Sequence, residues 1–432
     1  MPFIFLSQKI LRTGPKLCYC SLEMHFLEVQ MASPRQITRE DFNRPRPIYV
    51  VWEITLRCDH ACAHCGSRAE LARPDELSTE EMFDVADQFE RLGTREVTLI
   101  GGEAYLRSDV YDLVKYISQK GIYVSIQTGG LGLTERRLKK LVDAGLKGIG
   151  VSIDGPESVH DIQRDRVGSW KAGMAAIRRA REAGLVVTSN TQLNQLTLPH
   201  LRETAAELES AGVHTWRVQV TVPMGRAADR PEWLMQPWQI VPAMDELAAL
   251  KTERLQQALA DGKKPHQVMN ITLGNNVGYY GPHEHLLRST PGKKAKVWYG
   301  CQAGRFTMGI ESDGRIKGCP SLPTAPYIGG NIRDLSLEQL WNDTPELRFV
   351  RDRDVSELWG FCKGCYYADV CRGGCSFTSH CFLGKRGNNP ICYYRVNELA
   401  KKGIRERFVQ VEAAEGLPYD FGRFEIIEEP LP

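Results

Sequence analysis

The stretch CDHACAHC, residues 58–65, places three cysteines and two histidines within eight positions. The cysteines are Cys58, Cys62 and Cys65, so three residues and then two residues separate them. Three thiolates on one loop can bind three corners of a cubane [4Fe–4S] cluster, which takes four ligands in all. The fourth iron would then have no protein ligand and could bind another molecule, by the logic of an open catalytic zinc site.

Zinc is the alternative interpretation of the same loop. His60 and His64 could supply nitrogen ligands beside the sulfurs, and both ligand sets are chemically reasonable. The loop lacks the two-plus-two arrangement of a zinc finger. Taken alone, these residues leave iron–sulfur and zinc both open.

Strand-like and helix-like segments alternate along the chain from Tyr49. This alternation predicts a parallel sheet covered by helices. A closed eight-unit barrel takes about 250 residues, so six units scale to roughly 190, close to the length of residues 49–235. We therefore predict an α/β fold, an open and partial (β/α)6 TIM-like barrel. The predicted strands are 49–55, 96–100, 123–128, 148–154, 186–192 and 216–222, and the predicted helices are 79–92, 108–120, 134–144, 169–183, 199–211 and 238–260.

Unusual residues follow every predicted strand. In parallel barrels the chemistry lies at the carboxyl ends of the strands, so these residues predict one common site. Asp154 could equally be a turn former or a helix cap. The residues at the six strand ends are Cys58–Cys65, Gly101–Glu103, Thr128, Ser152 with Asp154, Asn190 with Gln192 and Asn194, and the segment PMGRA, 223–227.

The loop CDHACAHC resembles the C-x3-C-x2-Φ-C signature of the radical S-adenosylmethionine (SAM) superfamily, with His64 in the aromatic position. Gly101-Gly102-Glu103 resembles the superfamily motif that holds the methionine amino group, and the partial barrel is similar to its fold. The resemblance implies that SAM chelates the open iron. It also implies an enzyme, in which one electron from the reduced cluster cleaves SAM to methionine and a 5′-deoxyadenosyl radical that takes a hydrogen atom from the substrate.

The resemblance further implies contacts to SAM. VSIDG with HDIQR resembles the stretch that supplies a serine and an arginine to the SAM carboxylate, and Ser152 and Arg164 are the matching positions. Thr128 is expected near the ribose, and the His64 ring against the adenine. Asn190 is a further candidate, although it could instead satisfy buried backbone. The predicted cofactor contacts are Gly101, Gly102, Glu103, Thr128, Ser152, Arg164 and Asn190.

A second group of cysteines lies between residues 301 and 392. Its order, C-x12-G-x4-C, then C-x2-C-x5-C-x3-C, then C, resembles the SPASM extension of radical SAM enzymes, as do residues 330–343 and PMGRA. The resemblance implies one or two auxiliary iron–sulfur clusters, with Cys381 as a possible further ligand. Structural zinc would suit the same thiolates. The implied ligand sets are Cys301, Cys319 and Cys375 for one cluster, and Cys362, Cys365, Cys371 and Cys392 for the other.

These patterns divide the 432 residues into five segments. Cys18 and Cys20 fall in the first segment, where we interpret them as incidental. That segment is too short for the leader-peptide-binding domain of many such enzymes, so the resemblance implies a separate leader-binding protein or direct binding by the barrel. The segments are a poorly ordered extension (1–46), the radical SAM barrel (47–265), a bridging segment (266–300), the SPASM domain (301–395) and a C-terminal tail (396–432).

Composition excludes two kinds of partner. A net charge of +2 gives no footprint for nucleic acid or an anionic membrane. No apolar run approaches the roughly 20 residues of a membrane span, and the N-terminus does not have the form of a secretory signal. Clustered cysteines without such a signal indicate a reducing compartment, so we predict a cytoplasmic protein.

The substrate is predicted from the resemblance alone. The resemblance implies a ribosomally made peptide that receives a cross-link, a thioether or an oxidation, with a donor such as flavodoxin or ferredoxin supplying electrons. One alternative is oxidation or decarboxylation of a small molecule or a tetrapyrrole-type precursor, and another is a non-catalytic metal-binding protein. Pro320 follows Cys319 where the sulfatase-maturing branch has aspartate, which argues against that role.

Overall fold

Eight parallel strands form the centre of the computed structural model, which describes residues 34–432. The strand order is β10-β9-β8-β1-β2-β3-β4-β5-β6-β7, with β9 and β10 antiparallel at one edge. A separate hairpin pairs β11 with β12. The strands are β1 Tyr49–Glu53, β2 Glu96–Ile100, β3 Tyr123–Thr128, β4 Gly148–Ser152, β5 Val186–Leu193, β6 Thr215–Val220, β7 Asn270–Leu273, β8 Thr307–Ile310, β9 Arg315–Lys317, β10 Gly330–Asn331, β11 Ile404–Glu412 and β12 Arg423–Pro430.

Helices cover the outer face of this sheet. Thr79–Leu92 shows the local reason: Ser78 closes a capping box at its start, and Met82, Val85 and Phe89 are buried on one face. Each of the six predicted helices is present, with ends within two residues of those predicted. The helices are Arg39–Asn43, Thr79–Leu92, Val110–Gln119, Glu135–Asp143, Glu157–Arg164, Ser169–Glu182, Leu201–Ser210, Ile240–Ala260, Glu284–Arg288, Leu337–Asp343, Pro345–Asp352, Ala368–Cys371, Ser376–Leu383 and Tyr393–Ala400.

The partial barrel predicted from the sequence is confirmed, and the sheet is larger than six strands. β7 pairs with β6, and β8 pairs with β1, both in parallel. Each of these two strands has only four residues, and the chain between them does not repeat the strand–helix spacing, so the sequence pattern did not reveal them. β7 is an edge strand, so the barrel stays open on that side.

Both ends of the described chain pack against the barrel. Residues 34–46 were expected to be poorly ordered, but they contain a helix, and Arg35 donates to the Glu96 carboxylate at 2.8 Å. Residues 1–33, with Cys18 and Cys20, lie outside the described residues. At the other end, Tyr419 donates its hydroxyl proton to the buried Glu53 carboxylate at the end of β1. The predicted tail therefore contributes to the fold.

No helix within residues 34–432 has both the length and the apolar character needed to cross a membrane.

Candidate functional site

Three cysteine thiols lie together on the loop after β1. Cys62 is buried, and Cys58 and Cys65 are half-buried. Burial raises the pKa of the Cys62 thiol to about 11, although the nearby Arg164 guanidinium acts against this rise. The pKa of Cys58 is raised by burial, by the Glu103 carboxylate and by the other two thiols, which places all three sulfurs in one electrostatic environment. Metal binding would remove their protons.

Two arginines hold this loop from outside. Arg226, in the PMGRA segment, donates Nη1 to the carbonyl oxygen of Cys62 and Nη2 to that of Ala69, both at 3.2 Å. Its backbone N–H donates to the carbonyl oxygen of Cys65 at 3.0 Å, and Arg230 Nη1 donates to the carbonyl oxygen of Ala63 at 3.1 Å. The loop therefore has a fixed backbone with cationic groups beside it.

The two histidines of the loop point to different partners. His60 Nδ1 lies 3.0 Å from Asp59 Oδ1, while His64 Nδ1 lies 3.1 Å from the carbonyl oxygen of Gln163. Ligand atoms of Cys58, Asp59 and His60 lie within 4.8 Å of one another, so a single ion could use one of the three cysteines. The zinc site with both histidines is not assembled, because His64 is occupied elsewhere.

Gly101-Gly102-Glu103 follows β2 and crosses directly over the chain before the cysteine loop. A Cβ atom on either glycine would lie 2.2 Å from a backbone carbonyl oxygen, so only glycine fits at both positions. The buried Glu103 carboxylate accepts hydrogen bonds from Thr128 Oγ1 and the N–H of Gly129, both at 2.5 Å. Burial raises its pKa to about 8, although the two hydrogen bonds and the Arg164 guanidinium act against this rise. A cationic amine would suit this carboxylate.

Arg164 is tied to Asp154 at the end of β4. Its Nε donates to Asp154 Oδ2 at 2.8 Å, a second nitrogen donates to the same oxygen, and Nη1 lies 3.7 Å from the Cys62 sulfur. Asp154 Oδ1 accepts from the N–H of Gln192 at 2.8 Å. Burial alone would raise the pKa of Asp154, but Arg164 lowers it below the usual range. Most N–H groups of the Arg164 guanidinium thus already have a partner within the chain. Ser152, two residues before Asp154, is half-buried.

Asn190 lies on the inner face of the barrel. Its Nδ2 donates to Gln127 Oε1 at 2.5 Å, across the bare backbone of Gly150. Asn190 pairs in register with Ser152 on β4 and with Arg217 on β6. The predicted cofactor residues thus border one lumen, at the carboxyl ends of β2 to β5.

The later cysteines form two groups in the C-terminal part of the chain. One group surrounds a small apolar cavity of about 20 Å³ that Tyr279, Tyr280, Tyr367 and Tyr394 help to enclose. Burial raises the pKa of Cys375 to about 12, and Cys301 and Cys319 add to the rise, which places these three together. Cys381 is fully buried, and burial together with the nearby Cys375 thiol raises its pKa. The four cysteines that line the cavity are Cys362, Cys365, Cys371 and Cys392.

Sequence reasoning missed a clamp between the cysteine loop and the C-terminal segment. Arg68 donates Nε to Asp420 Oδ1 at 3.0 Å and Nη1 to Asp229 Oδ2 at 2.7 Å. The N–H of Tyr419 donates to the carbonyl oxygen of Gly66 at 3.1 Å. A charge pair between residues 352 positions apart has no local signal, so only the folded chain reveals it.

Fold and site together define an iron–sulfur protein built on an open α/β barrel. The sequence profile of the radical SAM superfamily matches residues 52–217, and that of the SPASM iron–sulfur cluster-binding domain matches residues 301–366. The chain therefore belongs to the radical SAM superfamily. It is an enzyme that binds a [4Fe–4S] cluster and SAM, and its SPASM domain binds auxiliary iron–sulfur clusters.

Relatives of similar length support this membership. The chain is 28% identical to the AdoMet-dependent heme synthase of Oleidesulfovibrio alaskensis, over 84% of this chain and 91% of that protein. It is also 28% identical to the mycofactocin maturase MftC of Mycolicibacterium smegmatis, over 83% of this chain and 86% of that protein. The SuiB structure of Streptococcus suis with bound S-adenosylmethionine has a TM-score of 0.57 at 16% identity, covering 78% of this chain and 75% of SuiB, which shows a shared fold.

Proposed function

We propose that Cys58, Cys62 and Cys65 bind the [4Fe–4S] cluster and leave one iron for SAM. The observation that carries this proposal is the placement of three thiols on one loop beside a buried carboxylate, Glu103. When bound, the cluster and SAM supply a 5′-deoxyadenosyl radical that removes a hydrogen atom from the substrate.

The chain's own residues would orient SAM. Glu103 would accept hydrogen bonds from the methionine amine, and Thr128 and Gly129 already hold its carboxylate in place. Arg164 would meet the SAM carboxylate with the N–H groups that Asp154 leaves free. The remaining proposed contacts are Gly101, Gly102, Ser152 and Asn190.

The SPASM cysteines would hold two auxiliary clusters. Cys362, Cys365, Cys371 and Cys392 would bind one in the tyrosine-walled cavity, which their grouping supports. Cys301, Cys319 and Cys375 would bind the other, with Cys381 near enough to Cys375 to be considered as a fourth ligand. The described cysteines are all free thiols, in keeping with a reducing, cytoplasmic location.

The substrate we propose is a ribosomally made peptide, which the similarity to a PqqA peptide cyclase supports. A separate leader-binding protein and a flavodoxin or ferredoxin would complete the system. The second candidate is a tetrapyrrole-type precursor, because a heme synthase is an equally similar relative. Incubation with a short peptide encoded beside the gene separates the two, since a loss of two hydrogens from the peptide supports the first.

The decisive experiment is SAM cleavage by anaerobically reconstituted protein with dithionite. We expect 5′-deoxyadenosine from the wild type, none from Cys58→Ala, and nearly the wild-type amount without substrate from Cys375→Ala. Iron and zinc analysis of each variant accompanies the assay. Zinc at the first loop, or equal product from Cys58→Ala, would overturn the proposed ligand set.

A further inference from the structure

Arg217 lies inside the barrel and has no ion-pair partner among residues 34–432. Its neighbour in β6, Trp216, is buried on the helix side, and strand side chains alternate, so Arg217 faces the lumen. The groups that act on its charge are Arg35, Tyr49 and Glu96, which lie at the base of the barrel. Within residues 34–432 the guanidinium of Arg217 has no hydrogen bond and no ion pair.

The carboxylate near Arg217 is already neutralised. Glu96 accepts from Arg35 at both oxygens, through Nε at 2.8 Å and through Nη2. The Arg35 guanidinium also lies over the Tyr49 ring, 3.7 Å from its centroid. Burial lowers the pKa of Arg217 and Arg35 lowers it further, but a guanidinium stays charged in proteins. Arg217 is half-buried, so its charge loses part of its hydration and an anionic partner would stabilise it.

Apart from the Arg35–Glu96 pair, the strands beside Arg217 present neutral amides to the lumen. A Cβ on Gly150 would lie 2.1 Å from Gln127 Oε1, and a Cβ on Gly274 would lie 2.7 Å from the Gln219 side chain. These glycines leave room for amides from the neighbouring strands, and the amide of Asn190 completes the row. An anion from outside the chain is the partner that this arrangement lacks.

We propose that Arg217 binds a carboxylate of the substrate inside the barrel. The proposal rests on the proposed function, because it requires the substrate to enter the lumen. A planar guanidinium with five donors matches a carboxylate in a bidentate manner. The carboxylate could come from a peptide, at its C-terminus or on an acidic side chain, or from the propionate of a tetrapyrrole. Both sources share one chemistry at this subsite.

Matched acid and neutral probes test the subsite. Reconstituted holoenzyme with SAM is titrated calorimetrically, without oxygen, with N-acetylphenylalanine and its amide, and with mesoporphyrin IX and its dimethyl ester. We expect at least one acid to bind about tenfold more tightly than its neutral partner, the ratio for one charge-assisted hydrogen bond. Arg217→Met should abolish the preference and Arg217→Lys should keep part of it. Arg202→Met, at an exposed ion pair with Glu253, should leave it unchanged.

Two results would overturn the subsite. One is equal binding of acid and neutral probes in both pairs by the wild type, and the other is a preference that survives in Arg217→Met. A tenfold weaker SAM affinity in Arg217→Met would also overturn it, since the guanidinium would then serve the cofactor. If Arg217→Met does not fold, the test rests on two measurements: the preference of the wild type for the acid probes and the reduced preference of Arg217→Lys. Absence of 5′-deoxyadenosine from the wild type without substrate would refute the proposed function alone, because probe binding is measured independently.

Discussion

The buried ion pair beside the cysteine loop makes Asp154→Asn the most informative substitution. The Asp154 side chain is fully buried and that of Arg164 is 11% exposed. Asparagine preserves the size of the side chain and can still accept from the N–H of Gln192, which Asp154 now does at 2.8 Å. It removes the negative charge, so Arg164 would remain buried with its charge uncompensated.

The expected cost follows from that isolation. Removing one partner of a buried pair lowers the free energy of unfolding by about 3–5 kcal/mol. The double variant Asp154→Asn/Arg164→Met removes the positive charge as well, so it should recover more than about half of this loss. Asp143→Asn is the control, because it breaks an exposed pair with Lys139, worth about 0.5 kcal/mol or less.

These differences are measured by urea unfolding of the cluster-free, reduced protein at pH 7, with circular dichroism as the signal. The cluster-free state matters because metal binding would add its own free energy to every variant. A loss below about 1 kcal/mol in Asp154→Asn would refute the reasoning. A double variant no more stable than the single one would refute it as well, since the unpaired charge would then not be the cause.

Three other predictions concern the loop, the clamp and a buried lysine. Gly225→Ala should lower the free energy of unfolding in urea by about 1–3 kcal/mol more than Gly262→Ala does. Both glycines have positive φ, but only at Gly225 would a Cβ lie 2.4 Å from the carbonyl oxygens of Cys65 and Gly66. Asp420→Asn should release cluster iron to a chelator about fivefold faster, because Arg68 loses one of its two carboxylates; an unchanged rate would contradict the clamp. The pKa of Lys251 is lowered by burial to about 8 from an ordinary 10.5, so the unfolded chain binds more protons between these values. Relative to Lys251→Met, the wild type should therefore gain up to about 3 kcal/mol of stability as pH rises from 8 to 10, and a gain on acidification would be the wrong sign.

The first six strands and their helices were predictable because each carries its own periodic pattern. The helix Thr79–Leu92 begins and ends at the residues that its cap and apolar face predict. β7 and β8 were not predictable, since four residues carry too little pattern and their partners, β6 and β1, are distant in sequence. The placement of the C-terminal segment on the barrel was missed for the same reason.

The candidate site likewise has features that local sequence predicts and features that depend on contacts between distant residues. Spacing alone predicts Cys58, Cys62 and Cys65 as cluster ligands, because loop ligands for one cluster must lie close together in sequence. Spacing could not show that Arg164 is largely committed to Asp154, or that Arg68 joins the loop to Asp420. Such pairs depend on which side chains the fold brings within about 3 Å, a distance at which charge-assisted hydrogen bonds form.

Thiol spacing and strand–helix alternation are local properties of the chain, so the cluster chemistry and the barrel could be predicted before folding was considered. Which charges are neutralised and which are left free depends on the folded chain. Glu96 and Arg217 are 121 positions apart, and neither sequence neighbourhood shows that Arg35 pairs with Glu96. Charges interact through space rather than along the chain, so the uncompensated guanidinium in the lumen becomes visible only once the barrel has formed.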